Sequence, residues 1–343
     1  MAILRIEEDD TVPTRLLQQL SQTAYACSSL SPPLSSRDGN AVYRGALTKP
    51  IQDGTTVESI IIKYTTDSVP RIFEELLLKT LASFSPPHTI NTVAVKTPYY
   101  LLTENFLPSP SAASIGHRLG FWLRSFHNWT SAPEQAALRA HMGQNDHVRK
   151  TKYLLTYESI SKVFEIYPGL SDGHENTLEA LRDVIANDLE RPFTDETDDY
   201  GILHGDFWSG KWELLQEVKT TEIFIIDWEF AQFGHRSTDL GQIVGDLYER
   251  KVYNNLENAM SAMEGVIEGY GVMSDEMAFR TAIYLGVHLI SYYNRRPQKG
   301  PRVASPEVIL AGLTVGRDFI VKGLQKDGAF FQDSALASLF AAR

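Results

Sequence analysis

The sequence predicts an α+β protein of two lobes, a small mixed β/α lobe over residues 1–108 and a large, mainly helical lobe over residues 109–343. Three observations carry this expectation. Strand-like apolar runs cluster near the N-terminus, helical spacing takes over from Ser114, and a short strand region interrupts the helices between Ile202 and Ile226. A chain of 343 residues also suits two lobes better than one core.

The first element is a helix from Thr11 to about Ala26, with Leu16, Leu17, Leu20 and Ala24 at helical spacing. A turn-rich stretch with Pro32, Pro33, Asp38 and Gly39 separates it from two strands, Ala41–Leu47 and Ser59–Tyr64. The intervening Lys49–Gly54 contains Pro50, Asp53 and Gly54 and reads as a turn. Arg71–Ala82 is expected to be a leucine-rich helix, and Tyr99–Thr103 a strand leading to Glu104.

In the second half, Ile115, Leu119, Trp122, Leu123 and Phe126 mark one helix, and Leu178, Leu181, Val184, Ile185 and Leu189 another. Short strands are expected at Ile202–Leu203, Trp212–Leu215 and Ile223–Ile226. Helices resume at Leu240–Tyr248, Met277–Tyr293 and Val308–Leu324, and the tail after Asp327 reads as a last helix.

Composition narrows the function. A formal net charge of -11 gives a nucleic-acid partner no electrostatic footprint and suits neutral or cationic small molecules. The single cysteine, Cys27, excludes an internal disulfide framework. The N-terminus has neither the basic segment nor the apolar stretch of a secretory signal, and no run has membrane-spanning length, so a cytosolic protein without membrane contact is expected.

The chemistry concentrates in Leu203-His204-Gly205-Asp206-Phe207-Trp208-Ser209-Gly210-Lys211 and in Glu222-Ile223-Phe224-Ile225-Ile226-Asp227-Trp228-Glu229. A loop aspartate followed by a hairpin that delivers a second aspartate is what phosphoryl transfer demands. One carboxylate orients the acceptor hydroxyl and takes its proton, and the other holds magnesium against the nucleotide phosphates. The wholly apolar Ile223–Ile226 is the pattern of a buried strand fixing Asp227 at its end.

Further segments extend the pattern: Asp38-Gly39-Asn40-Ala41-Val42-Tyr43-Arg44-Gly45, Ile60-Ile61-Ile62-Lys63, Arg71-Ile72-Phe73-Glu74-Glu75, Leu119 to His127, Asp239-Leu240-Gly241 and Phe279 to Leu289. Together they resemble the aminoglycoside phosphotransferase and choline kinase superfamily, and within it fungal members of unassigned substrate, over most of the chain. That resemblance implies a protein-kinase-like fold with ATP and Mg²⁺ as cofactors. It implies a small-molecule acceptor with a hydroxyl or amine, and a role in fungal secondary metabolism.

Residue by residue, the resemblance assigns Lys63 to the α- and β-phosphates and Glu74 to its ion pair. Gly39 and Glu104 become further nucleotide contacts, Asp206 the catalytic base and Asp227 the metal ligand. Asp239 would brace the catalytic loop. Glu229 reads equally as a ligand of a second metal and as a salt-bridge residue. His204 reads as a brace, His127, His235 and His288 as satisfied structural histidines, and Trp208 as loop packing within reach of an acceptor.

The sequence departs from the family at Lys211, where an asparagine usually ligates magnesium. An ammonium has three donors and no acceptor, so it cannot ligate a metal. Three readings stand. Lys211 acts as a catalytic cation in place of one magnesium, leaving a single ion; or transfer is lost and the chain is a pseudokinase that binds a nucleotide, metabolite or protein partner; or the loop is shifted by one and Glu213 supplies the carboxylate. Ser35, Ser36 and Arg37 also stand where relatives tend to have glycines, which makes the backbone less free to approach phosphate. Repurposed, non-phosphoryl chemistry on the same scaffold is a further alternative, since fold does not fix function.

Overall fold

The computed structural model describes residues 11–33, 35–37, 40–53, 55–65, 71–81, 83–84, 90–91, 109–193, 199–209, 212–217, 220–225, 227–295 and 304–341. The chain divides into two compact units, Met1–Val69 and Pro70–Arg343. A small sheet-bearing unit and a large, mainly helical one are the α+β organisation expected from the sequence. The expected lobe boundary at residue 108 falls at the end of a stretch, 92–108, outside the described residues.

In the first unit, helix α1 (Thr11–Leu20) precedes strands β1 (Cys27–Leu30), β2 (Ser35–Arg37), β3 (Asn40–Asp53) and β4 (Thr55–Thr65). The helix stops at Leu20, short of the expected Ala26. Strand β3 is the backbone of this unit and pairs antiparallel with β1, β2 and β4. Lys49–Asp53 belongs to that strand and is not a turn. Pro50 has no N–H to give a ladder, and the β3–β4 pairing lapses between Ala46 and Ile51, where the register shifts. Leu16 of α1 is buried with Ala41 and Tyr43 of the sheet, and Val12, Leu30, Ile62 and Tyr64 pack around them.

The second unit opens with α2 (Arg71–Leu81) and the short strand β5 (Ile90–Asn91). Although α2 reads from the sequence as part of the small lobe, its Leu77 and Leu81 are buried in the core of the large unit. Helix α3 (Ser109–Ser131) runs through that core. Helices α4 (Ala136–Met142), α5 (Asp146–Tyr153), α6 (Ser159–Ile166) and α7 (Glu175–Glu190) follow. A single π turn, Leu154–Glu158, joins α5 to α6.

Four strands follow: β6 (Tyr200–Leu203), β7 (Trp212–Glu217), β8 (Thr220–Ile225) and β9 (Gln232–His235). β6 pairs antiparallel with β9, and β8 pairs antiparallel with β7 and parallel with β5. Helices α8 (Ser237–Asn254), α9 (Glu257–Tyr270), α10 (Asp275–Arg295), α11 (Pro306–Leu324), α12 (Gly328–Gln332) and α13 (Ala337–Ala341) complete the unit. Among the described residues no helix is long and apolar enough to cross a membrane.

Helices α3 and α9 lie unusually close. A Cβ on Gly116 or Gly120 would come within 2.0 Å of the carbonyl oxygens of Ala262 and Val266. A Cβ on Gly265 or Gly269 would meet Ala113 and His117 in the same way. Small residues four apart on both partners let the two backbones touch.

That contact fixes Trp122 and Phe126 in the centre of the unit, where both rings are almost wholly buried. Phe207 stacks on Trp122 at 5.9 Å, and Trp228 lies 6.0 Å from Trp122 and 5.2 Å from Phe126. The residue after each key aspartate is therefore anchored on the same helix. Trp122→Ala is expected to lower the free energy of unfolding by about 3–5 kcal/mol, the usual range for a buried tryptophan. Urea denaturation followed by circular dichroism would measure it, and a loss below about 1 kcal/mol would show that the aromatic cluster is not a main support.

Candidate active site

The loop after β6 is shaped first by Gly205, whose φ of 80° lies in the left-handed region. A Cβ there would also sit 1.9 Å from the Phe230 carbonyl oxygen, so the loop and the turn after Asp227 touch backbone to backbone. The register agrees, since Leu203 faces Gln232, and the His204 and Trp228 rings lie 4.5 Å apart. Thus the segments bearing Asp206 and Asp227 are packed against each other.

One stripe of helix α8 holds the loop. Asp239 Oδ2 accepts from the His204 N–H at 2.8 Å and Asp239 Oδ1 from the Gly205 N–H at 2.9 Å. Gln242 Nε2 donates to Asp206 Oδ1 at 2.7 Å. Asp246 Oδ2 accepts from the Ser209 N–H at 3.2 Å, and Arg250 donates to Ser209 Oγ at 2.6 Å while pairing with Asp246. Positions 239, 242, 246 and 250 recur at helical spacing, so all four side chains fall on one face. Each of these residues is buried, and buried polar groups of this kind are stable only when satisfied, as these are by the loop.

A second layer supports the stripe. His127 Nε2 lies 3.2 Å from Asp239 Oδ2 and its Nδ1 lies 3.0 Å from the Tyr270 hydroxyl. Burial pushes the His127 pKa down, against the opposing pull of the Asp239 carboxylate. It pushes that of His235 well down, helped by Arg280 and Arg191, and His235 bonds Ser237 Oγ at 2.6 Å. The expected structural role of these two histidines is the one their contacts describe. His204 is also buried, and its Nδ1 accepts from the Asp206 N–H at 3.3 Å, which is a bracing contact.

Asp206 itself is held by three donors. Besides Gln242, Lys152 Nζ lies 3.3 Å from Oδ1 and Trp208 Nε1 donates to Oδ2 at 3.2 Å. Lys152 also donates to Gln242 Oε1 at 3.1 Å. A carboxylate contacted at both oxygens in this way is held in one orientation. Asp227 adopts a left-handed conformation, φ 72° and ψ 62°, immediately before the turn Trp228–Phe230. A non-glycine residue there costs about 1 kcal/mol or more, a strain typical of ligand-binding positions.

Other expected site residues fall differently. Glu74 lies in α2 and is half-buried, as is Glu229 in the turn after Asp227. Lys63 is in β4 with its backbone opposite Val42. Gly39, Glu104 and Lys211 lie outside the described residues. Among the side chains given above as touching Asp206, Lys152 and Gln242 went unrecognised in the sequence. Gln242 sits one turn beyond Asp239, so helical spacing could have found it. Nothing local signals Lys152, whose partner is 54 positions away.

The donor set can be tested against magnesium. Mg²⁺ is commonly held by one or two carboxylates together with substrate phosphates, so it does not require an all-protein cage. Asp227 and Glu229, two positions apart in one turn, suit that requirement. Among the described residues no group of three or more His, Cys, Asp or Glu side chains converges as a self-sufficient metal site.

A curated relative, phosphotransferase FrzJ from a Cladobotryum species, is 28% identical over 372 aligned positions, spanning 93% of this chain and 94% of that one. The chain resembles a fungal phosphotransferase along almost its whole length. That is the kind of relative its motifs point to. No family model matches the chain. Similar solved structures include the aminoglycoside phosphotransferase APH(2'')-Ib bound to ADP, 13% identical with a TM-score of 0.48, covering 92% of this chain and 99% of that one. The choline kinase LicA from Streptococcus pneumoniae is 14% identical with a TM-score of 0.46, over 91% and 98% of the respective chains.

Proposed function

We propose that the chain is an ATP-dependent phosphotransferase acting on a small-molecule acceptor, with Asp206 as the base that orients the acceptor hydroxyl and receives its proton. The observation that carries this reading is the fixed carboxylate of Asp206, gripped by Gln242, Lys152 and Trp208 on a loop whose backbone is clamped by Asp239. The full-length likeness to a fungal phosphotransferase supports it.

Asp227, with Glu229 beside it, would hold Mg²⁺. Bound by these residues, the ion would supply positive charge to offset the negative charge that develops on the nucleotide phosphates. Lys63, Glu74, Gly39 and Glu104 are assigned to the nucleotide by family resemblance. The same resemblance is the support for a role in secondary metabolism.

Lys211 favours a second reading, in which the chain binds nucleotide without transferring phosphate. One pair of measurements separates the two. ATP is expected to raise the melting temperature more with magnesium than without, and Mg·ATP turnover is expected with a suitable alcohol. Lys211→Asn is expected to change the magnesium dependence of that stabilisation. No stabilisation by ATP under any condition would exclude both readings, whereas stabilisation without turnover on a broad panel of alcohols would favour the second. If Lys211→Asn leaves the magnesium dependence untouched, Lys211 is not an active-site cation.

A further inference from the structure

Beside Asp206 lies a cleft of about 40 Å³, room for two or three waters or for the hydroxymethyl end of a larger molecule. Lys152 lines it, together with Thr156, Thr238, Gln242, His288 and Ser291. Thr156 comes from the π turn that follows Lys152, and such single-turn insertions re-aim side chains and recur at functional sites.

The charge of this lining is unlike that of the whole chain. Despite the net charge of -11, no carboxylate is among the described residues that line the cleft. Lys152 contributes a cation, already paired with Asp206, so the negative charge of the base is balanced before any acceptor arrives. Behind the wall, Glu249 Oε2 lies 3.3 Å from His288 Nε2. An adjoining cleft that also reaches Lys152 contains Asp188, but that carboxylate is engaged by Arg280 at 2.6 Å, Tyr200 at 2.5 Å and Tyr284 at 3.2 Å. An incoming ammonium would find Asp188 engaged, Asp206 paired and Lys152 facing it.

The remaining polar groups suit an uncharged partner. Ser291 Oγ is fully buried and has no hydrogen-bond partner among the described residues, a state that costs stability unless something in the cleft meets it. The His288 Nε2 likewise makes no hydrogen bond, although it stands near Glu249.

We propose that this cleft receives a hydroxyl acceptor bearing no positive charge at its reacting end, with Lys152 as the residue that disfavours ammonium compounds. The inference rests on the phosphotransferase reading and sharpens it: the net charge of the chain suits neutral or cationic acceptors, and the cleft selects the first.

Choline and its uncharged isostere 3,3-dimethylbutan-1-ol differ chiefly in charge. Their binding to the full chain loaded with magnesium and a non-hydrolysable ATP analogue can be followed by ligand-observed NMR. The uncharged alcohol is expected to bind about tenfold more tightly than choline. Lys152→Glu is expected to reverse that order, and Lys152→Met, which keeps the apolar stem without charge, to narrow it. A parent that favours choline, a preference unmoved in both variants, or binding of neither alcohol to nucleotide-loaded protein would overturn the acceptor assignment alone. Failure of the parent to bind the ATP analogue would overturn the phosphotransferase reading with it.

Discussion

Changing Asp206 to asparagine is expected to lower phosphoryl transfer by about 10²- to 10⁴-fold, the usual contribution of a positioned general base. Asparagine keeps the shape and one acceptor oxygen, so Gln242 and Lys152 retain a partner near Oδ1 and the loop stays in place. What disappears is the ability to take the proton of the acceptor hydroxyl. Binding of Mg·ATP should therefore remain close to the parent value, because in this account Asp227 and not Asp206 meets the metal. Steady-state kinetics beside a thermal-shift titration with Mg·ATP would show the split. Equal loss of nucleotide binding and turnover would mean that Asp206 supports the nucleotide site instead of the acceptor.

Replacing Asp239 by alanine is expected to produce the largest loss of stability in the loop's support. Its carboxylate meets the His204 and Gly205 backbone N–H groups and His127, all within the buried interior. Removing it leaves these donors without their acceptor, at about 1–3 kcal/mol for each buried group left unmet. A total of roughly 3–5 kcal/mol follows if the site relaxes only in part. Chemical denaturation would measure it, and turnover by the folded fraction should also fall, because Asp206 lies one residue beyond the clamp. Near-parent stability would show that water or a neighbouring group takes over the role of Asp239 and that the clamp is not structural.

These two residues also show what the sequence makes legible. Asp206 and Asp227 stand out because each closely follows a short apolar run, Ile202–Leu203 and Ile223–Ile226, and two aspartates so placed have a ready chemical meaning. Asp239 stands out less by its own environment than by family resemblance, yet its two backbone contacts are those of a loop brace. The large helices are legible because their apolar spacing extends over several turns, as in Asp275–Arg295 and Pro306–Leu324.

What could not be read depends on contacts between distant segments. Lys152 looks like an ordinary surface lysine in Lys150-Thr151-Lys152, and the polar segment around it has weak apolar periodicity. Only the tertiary fold brings it to Asp206. The length of β3 was hidden by Pro50, which normally argues against a strand and is accommodated here where the ladder to β4 lapses. Arg71–Leu81 was legible as a helix but not in its allegiance, because an amphipathic pattern states that a face is buried without stating against what. The close crossing of α3 and α9 is written in the glycines at 116, 120, 265 and 269, a signal that becomes readable only when both helices are known to be partners.

The most direct test is a crystal structure of the full chain soaked with magnesium and a non-hydrolysable ATP analogue. The expected result is a metal ion in contact with an Asp227 carboxylate oxygen and the terminal phosphate, with that phosphate facing the side of the site where Asp206 is held. A triphosphate bound elsewhere, or one whose metal is held without Asp227 while Asp206 points away from it, would contradict the account.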